Sequence, residues 1–320
     1  MLLDVRLDAS LADVPRTVAE LAEAGVAGVF TYEGASDPFL PLGAAAVASS
    51  LDLYTNLAIA LPRSPMHLAY LAQDLQRASG GRFSLGLGTQ VRRHVVDRFG
   101  AIWESPVRQL REIVLAVKAI QTSWATGEPL AFEGEWTRHT YCPPLFVPPD
   151  VRPARVLVGA LGPKMTAMAV EVADGLLVHP FCSEASLGHT LADVPAGFPV
   201  IGQSIVGVGV NEEEIRAARA AVRGLIAFYG STPAYRPVLD VHGWGELHEE
   251  LRRLTRSGDW SRLAEAVPDE VVDTIGLVGS PAFVAAGLGR RFARCTRIAL
   301  STPYAVSTAA LAELTSLAAD

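Results

Sequence analysis

Leu2-Leu3-Asp4-Val5-Arg6-Leu7 runs, after Asp8 and Ala9, into Ser10-Leu11-Ala12-Asp13-Val14 and on to Gly25. The first string is short, apolar and suited to a strand. In the second, Leu11, Val14, Val18 and Leu21 return on one helical face. Ser10 is placed to cap that helix, Asp13 falls in its first turn and Gly25 follows its last residue, so both ends are marked chemically. Strand then helix is one βα unit, and the unit recurs. Residues 26–31 read as strand and 38–48 as helix, then 54–60 and 65–78, with 83–87 as the fourth strand. A long helix is expected at 105–124. The rhythm resumes with strands at 155–158, 175–178, 199–208 and 297–300 and helices at 164–173, 212–229, 281–292 and 307–317. Eight strands alternating with helices predict an α/β fold, a (β/α)8 TIM barrel in one domain over residues 1–320, with excursions at about 127–150 and 230–269. A doubly wound sheet would carry an early dinucleotide fingerprint. Gly86-Leu87-Gly88-Thr89-Gln90-Val91 lacks its third glycine, and no Walker A string occurs.

Composition narrows the function. Half of the 320 residues are hydrophobic (50%) and 19% are charged, which excludes disorder, and the 28 Gly and 21 Pro are scattered rather than periodic, which excludes a fibre. With 27 Lys and Arg against 34 Asp and Glu, the net charge of -7 offers no general attraction to nucleic acid or anionic lipid. Cys142, Cys182 and Cys295 make no CxxC pair and cannot all be bridged within the chain, as suits a reducing cytoplasm. The N-terminal string has no signal-peptide pattern and no window approaches a membrane span, so a cytoplasmic protein without a membrane partner is expected. No HExxH or GxSxG string is present and no metal site is expected.

In a barrel, chemistry belongs where strands end. After the fifth strand, Gly159-Ala160-Leu161-Gly162-Pro163-Lys164 combines two glycines, a proline that opens a helix and a cation, which together suit a phosphate. Outside a barrel the same string would read as an ordinary strand-to-helix turn. Glu33 ends the second strand as a candidate acid or base, with an exposed loop carboxylate as the plainer reading. His94, beside Arg92 and Arg93, is a second candidate, set against a solvated loop histidine. His179 stands at a strand end, a stronger position than His67, His189 or His248 on presumed helices, and His139 in the first excursion suits a lid.

Longer strings coincide with a known family. Ser36-Asp37-Pro38-Phe39-Leu40-Pro41-Leu42, Arg63-Ser64-Pro65, Ala78-Ser79-Gly80-Gly81-Arg82-Phe83-Ser84-Leu85-Gly86-Leu87-Gly88 and Ala173-Asp174-Gly175 closely resemble the luciferase-like monooxygenase superfamily. Arg111-Glu112 and Gly279-Ser280-Pro281 look like its deazaflavin-dependent branch. Phe228-Tyr229-Gly230-Ser231-Thr232-Pro233-Ala234-Tyr235 and His242-Gly243-Trp244-Gly245 look like one largely actinobacterial subfamily of oxidoreductases. The resemblance implies a luciferase-like barrel binding coenzyme F420, a deazaflavin that carries a hydride at ring carbon five and a phosphate-linked polyglutamate tail. It puts the phosphate turn on Gly159, Ala160, Leu161, Gly162 and Pro163, with Lys164 and His179 nearby. It puts the cis-peptide bulge behind the ring on Ala58 and Ile59, a ring-edge polar group on Thr89, and an acidic group on Glu33. Related sugar-phosphate dehydrogenases carry Asp-His where this chain has Glu33-Gly34, which removes the histidine base of that mechanism.

The implied activity is hydride transfer between F420 and a small organic substrate bound over the ring, with an activated double bond or imine as acceptor. FMN-dependent monooxygenation and a non-catalytic deazaflavin-binding protein are the alternatives. Arg63, Arg92, Arg93 and Lys164 at strand ends would neutralise a long anionic tail and favour deazaflavin over FMN. A positive φ at Gly162 would add backbone strain to any substitution there. A homodimer is expected from the resemblance and from the apolar faces of the first helices.

Overall fold

Proline stands in the first turn of the helices Val14–Glu23, Pro65–Ala78, Pro106–Thr126, Pro163–Val172 and Pro281–Arg291, where its missing N–H leaves no intrahelical bond unmade. These residues fix where each turn from strand to helix ends. The first helix therefore begins at Val14, not Ser10, because Pro15 sets its start; Ser10 instead receives the Asp13 N–H from outside the helix. The structure, a computed structural model, describes residues 1–319, with the backbone alone at Ser261.

The strands are β1 (Leu2–Arg6), β2 (Gly28–Thr31), β3 (Asp52–Thr55), β4 (Ala58–Ile59), β5 (Phe83–Gly88), β6 (Phe132–Glu133), β7 (Arg138–His139), β8 (Arg155–Ala160), β9 (Gly175–Val178), β10 (Val200–Val208), β11 (Leu277–Gly279) and β12 (Arg297–Ser301). Parallel pairing runs β1–β2–β3–β5–β8–β9–β10–β12 and returns to β1, closing an eight-strand barrel. Its members are the eight strands expected from the sequence. The expected strand at 54–60 is two pieces, β3 and β4, with β4 continuing along β5 after a break. The β6–β7 hairpin and β11, which extends β10 beyond β12, lie outside the repeat.

Two layers of core follow. Most buried apolar side chains fill the space between barrel and helices, while Phe30, Tyr54, Leu157, Leu177 and Ala299 form a separate cluster inside the barrel. The first excursion is fastened by Glu112, whose buried carboxylate accepts the N–H groups of Glu135, Trp136 and Thr137. The second supplies helices Arg236–Asp240, Gly245–Ser257, Trp260–Leu263 and Asp269–Ile275. They build another core with Phe181 and Ile205, against which Leu161 packs. Among the described residues no helix is long and apolar enough to cross a membrane.

Inside the barrel near its N-terminal end, Arg297 donates to Asp4 at 2.7 Å and also to Asp52, while the Tyr54 hydroxyl donates to Asp4 at 2.9 Å. Gly28 makes room, since a Cβ there would stand 2.7 Å from both Arg297 and Asp4. Burial pushes the Asp4 carboxyl up to about 6, against the opposing pull of Arg297 and Tyr54. A folded-state pKa above the unfolded one means that Asp4 contributes most below about pH 4 and loses that contribution as pH rises through about 6. Asp4→Asn removes this titration. From about pH 4 to about pH 7 the native protein should lose about 3 kcal/mol relative to the variant, measured by urea unfolding at each pH.

Candidate active site at the barrel mouth

Side chains alternate along a strand, so residues two beyond the inner core line the C-terminal mouth. They are Tyr32, Asn56, Gly159, His179, Gln203 and Ser301, with Arg6 two beyond Asp4. Asn56 donates to the Gln203 carboxamide across the barrel at 3.2 Å.

The peptide bond that is cis joins Asn56 to Leu57. This corrects the assignment of the bulge to Ala58 and Ile59. Those two residues are paired with Leu87 and Gly88, and ladder pairing needs regular extended backbone, so the irregularity falls in the gap between β3 and β4. The Leu57 side chain lies over Gly88 and Gly159, where a Cβ on either glycine would overlap it. Gly159 thus makes room for Leu57.

Glu33 is buried and holds this segment. Its Oε2 accepts the Ile59 N–H at 2.7 Å and Arg63 Nη1 at 2.5 Å, and its own N–H donates to Leu57 O at 3.1 Å. Arg63 also donates to Ile59 O at 2.9 Å and Asp37 at 3.2 Å. With two carboxylates around it, Arg63 is committed to the loop and drops out of the cations expected to meet an anionic tail.

The turn after β8 is open where it matters. Ala160 is still within β8, paired with Val178, and Leu161 packs on the second core. Gly162 stands at φ -111°, an ordinary extended conformation and not the positive φ considered above; a Cβ there would meet nothing within 4 Å. Its carbonyl accepts from Met165 and Thr166, while the N–H groups of Gly162 and Lys164 have no acceptor among the described residues. Pro163 begins the helix, and the exposed Lys164 has no carboxylate partner among the described residues. Free N–H groups, a helix N-terminus and an ammonium without a carboxylate partner among the described residues are groups that could hold an anion.

Thr89 is half-buried and donates to Gln90 O at 3.1 Å. His94 opens a single π-helical turn, His94–Arg98, and is exposed; Arg98 of that turn donates to Gly34 O, which sets the turn beside the loop of Glu33. His139 lies in the β6–β7 hairpin near Phe132, with its Nε2 buried and unpartnered, and burial lowers its pKa.

His179 is the best-defined polar side chain at the mouth. Its ring stacks on Tyr235 at 4.3 Å and meets the edge of Tyr229 at 5.0 Å. Nδ1 accepts the Phe181 N–H at 3.1 Å, which leaves the proton on Nε2, and burial pushes the pKa down to about 3, so the ring is a neutral donor. Tyr229, Tyr235, Arg6, Asn56 and Gln203 escaped the sequence reading of the site. Arg6 had a signal, since Asp4 and Arg6 alternate with apolar residues in a strand that closes a barrel.

The luciferase-like monooxygenase family model matches residues 4–295. An uncharacterized protein of Mycobacterium tuberculosis, Rv1360, is 42% identical over 310 residues, covering 90% of each chain. A 5,10-methylenetetrahydromethanopterin reductase of Archaeoglobus fulgidus is 29% identical over 233 residues, 68% of this chain and 66% of that one. The solved structure of the coenzyme F420 dependent tetrahydromethanopterin reductase from Methanopyrus kandleri has the same fold at TM-score 0.80 and 18% identity, over 98% of this chain and 97% of that one. With a family model spanning most of the chain and a 42% identical relative along nearly its whole length, this chain belongs to the luciferase-like monooxygenase family.

Proposed function

We propose that the chain, acting as one catalytic domain, is a coenzyme F420-dependent oxidoreductase that transfers a hydride between the deazaflavin and a small organic substrate, with an activated double bond or imine as acceptor. The observation that carries this is the turn after β8, whose open approach at Gly162, free N–H groups and exposed Lys164, without a carboxylate partner among the described residues, fit a phosphate-linked cofactor. The reductase relatives support deazaflavin over FMN. When bound, the deazaflavin would supply a hydride at ring carbon five. Lys164 and the Gly162 N–H would hold its phosphate, Leu57 would back the ring, and the His179 Nε2–H would donate a hydrogen bond at the mouth.

Glu33 serves here as a positioning residue that keeps Leu57 in place through Ile59 and Arg63. The cytoplasm suits three free cysteines. Exposed Leu40, Val47 and Leu71 on the helices Phe39–Ala48 and Pro65–Ala78 support self-association as a homodimer.

Gly162→Val should weaken F420 binding by roughly ten- to a thousandfold, from loss of one or two charge-assisted hydrogen bonds, while the thermal melt stays unchanged. Gly188→Val, on a helix face where a Cβ also meets nothing within 4 Å, should leave binding as it is. Unaltered F420 affinity in a folded Gly162→Val protein would move the phosphate elsewhere, and tighter binding of FMN than F420 would favour monooxygenation. Bound F420 oxidised no faster than in solution, across a panel of acceptors, would favour the non-catalytic reading.

Glu33→Gln breaks a largely buried ion pair and should destabilise the fold by about 3 kcal/mol in urea unfolding. The pH profile of kcat should keep its shape. A lost limb in that profile with stability intact would make Glu33 the acid or base instead.

A further inference from the structure

Among the described residues, two arginines near the barrel axis are each held between two carboxylates. Arg297 lies between Asp4 and Asp52, and Arg63 between Glu33 and Asp37. Arg6 is different. Its side chain is 32% exposed, and its ionic partner Asp8 is 75% exposed, so that pair contributes little to the fold and either group exchanges readily with solvent. The guanidinium otherwise rests 5.6 Å from the ring centre of Tyr32, itself 49% exposed.

The place of Arg6 is set by the barrel. In the order β1–β2–β3–β5–β8–β9–β10–β12, three strands separate β1 from β8 in either direction, so Arg6 stands diametrically opposite the turn at Gly162. Tyr229 stands on the His179 side of the mouth. Held edge-on against His179 and, at 5.5 Å and 89°, against Tyr235, it is close enough to Arg6 for the guanidinium charge to act on its hydroxyl. That hydroxyl has no hydrogen-bond partner among the described residues, and burial raises its pKa, which keeps it a donor. Beside it, the stacked rings of His179 and Tyr235 make a flat wall without charge.

We propose that Arg6 and Tyr229 are specificity-determining residues that select a small, planar hydride acceptor bearing a carboxylate; this rests on the deazaflavin reading, which puts the cofactor phosphate at the opposite turn. A guanidinium fork offers two parallel donors to a carboxylate, the tyrosine hydroxyl a third, and the aromatic wall favours a planar body. Asp8, solvated and close, keeps the guanidinium in place until a carboxylate displaces it.

Titration of the protein with benzoate and with benzamide, its uncharged counterpart of similar shape, tests this through intrinsic fluorescence or calorimetry. Benzoate should bind at least tenfold more tightly. Arg6→Gln should abolish the preference, Arg6→Lys should retain part of it, and Tyr229→Phe should weaken benzoate several-fold with benzamide unchanged. Thermal melts of the variants should match the native protein, as a weakly paired arginine implies, and each should bind F420 with native affinity. Equal binding of the two probes, no binding of benzoate, or a preference that survives Arg6→Gln would overturn the proposal. If F420 fails to bind while the benzoate preference holds, the deazaflavin reading falls and the carboxylate site stands.

Discussion

Closure of the barrel depends on one buried arrangement of charge. Arg297, on the last strand, reaches inward to Asp4 on the first and Asp52 on the third, and Tyr54 completes the hydrogen bonding of Asp4. Charges removed from water are tolerated only when such partners surround them. The arrangement therefore ties β12, β1 and β3 into one register, and it does so through space vacated by Gly28. A side chain on β2 at that point would push the arginine away from both carboxylates. Above this charged layer Phe30, Tyr54, Leu157 and Leu177 fill the inside of the barrel with buried side chains.

At the mouth the same economy of space recurs with a different purpose. Gly88 and Gly159 lack side chains so that Leu57 can lie across β5 and β8, and the segment carrying Leu57 is fixed by Glu33 and Arg63. A carboxylate and a guanidinium that look like free chemical groups in the sequence are consumed in holding backbone. The groups that remain for a ligand are fewer and farther apart: Lys164 with the Gly162 N–H on one side, Arg6, held only by the solvated Asp8, with the Tyr229 hydroxyl on the other, and neutral His179 between them along the wall. That division suits a surface that binds an anionic cofactor at one edge and orients a second molecule at the opposite one.

The second excursion gives the mouth its aromatic character. Tyr229 ends the helix Glu212–Gly230, and Tyr235 follows in a short turn. His242 Nε2 lies 2.7 Å from Ser183 Oγ, and His248 Nδ1 bonds Gly230 O at 2.7 Å, so the excursion is tied both to the loop after β9 and to the end of its own leading helix. The aromatic lining of this region thus comes from residues far from any strand end.

The sequence by itself determined the architecture. Apolar periodicity in residues 2–25 and its recurrence, with proline opening helices and glycine closing them, specify βα units because φ preferences and side-chain spacing act within a few residues. The turn at Gly162 was legible for the same reason, as glycine, proline and lysine carry their conformational and electrostatic properties locally. Tertiary structure alone decided that Glu33 and Arg63 are spent on each other, that the irregular peptide falls at Asn56–Leu57 and not at Ala58–Ile59, and that Tyr229 packs edge-on against His179. Each of these depends on which strand lies beside or opposite another once the barrel closes. Spacing along the chain encodes a residue's own conformation, but the partner that satisfies or leaves free its charge comes from a strand or helix tens of residues away.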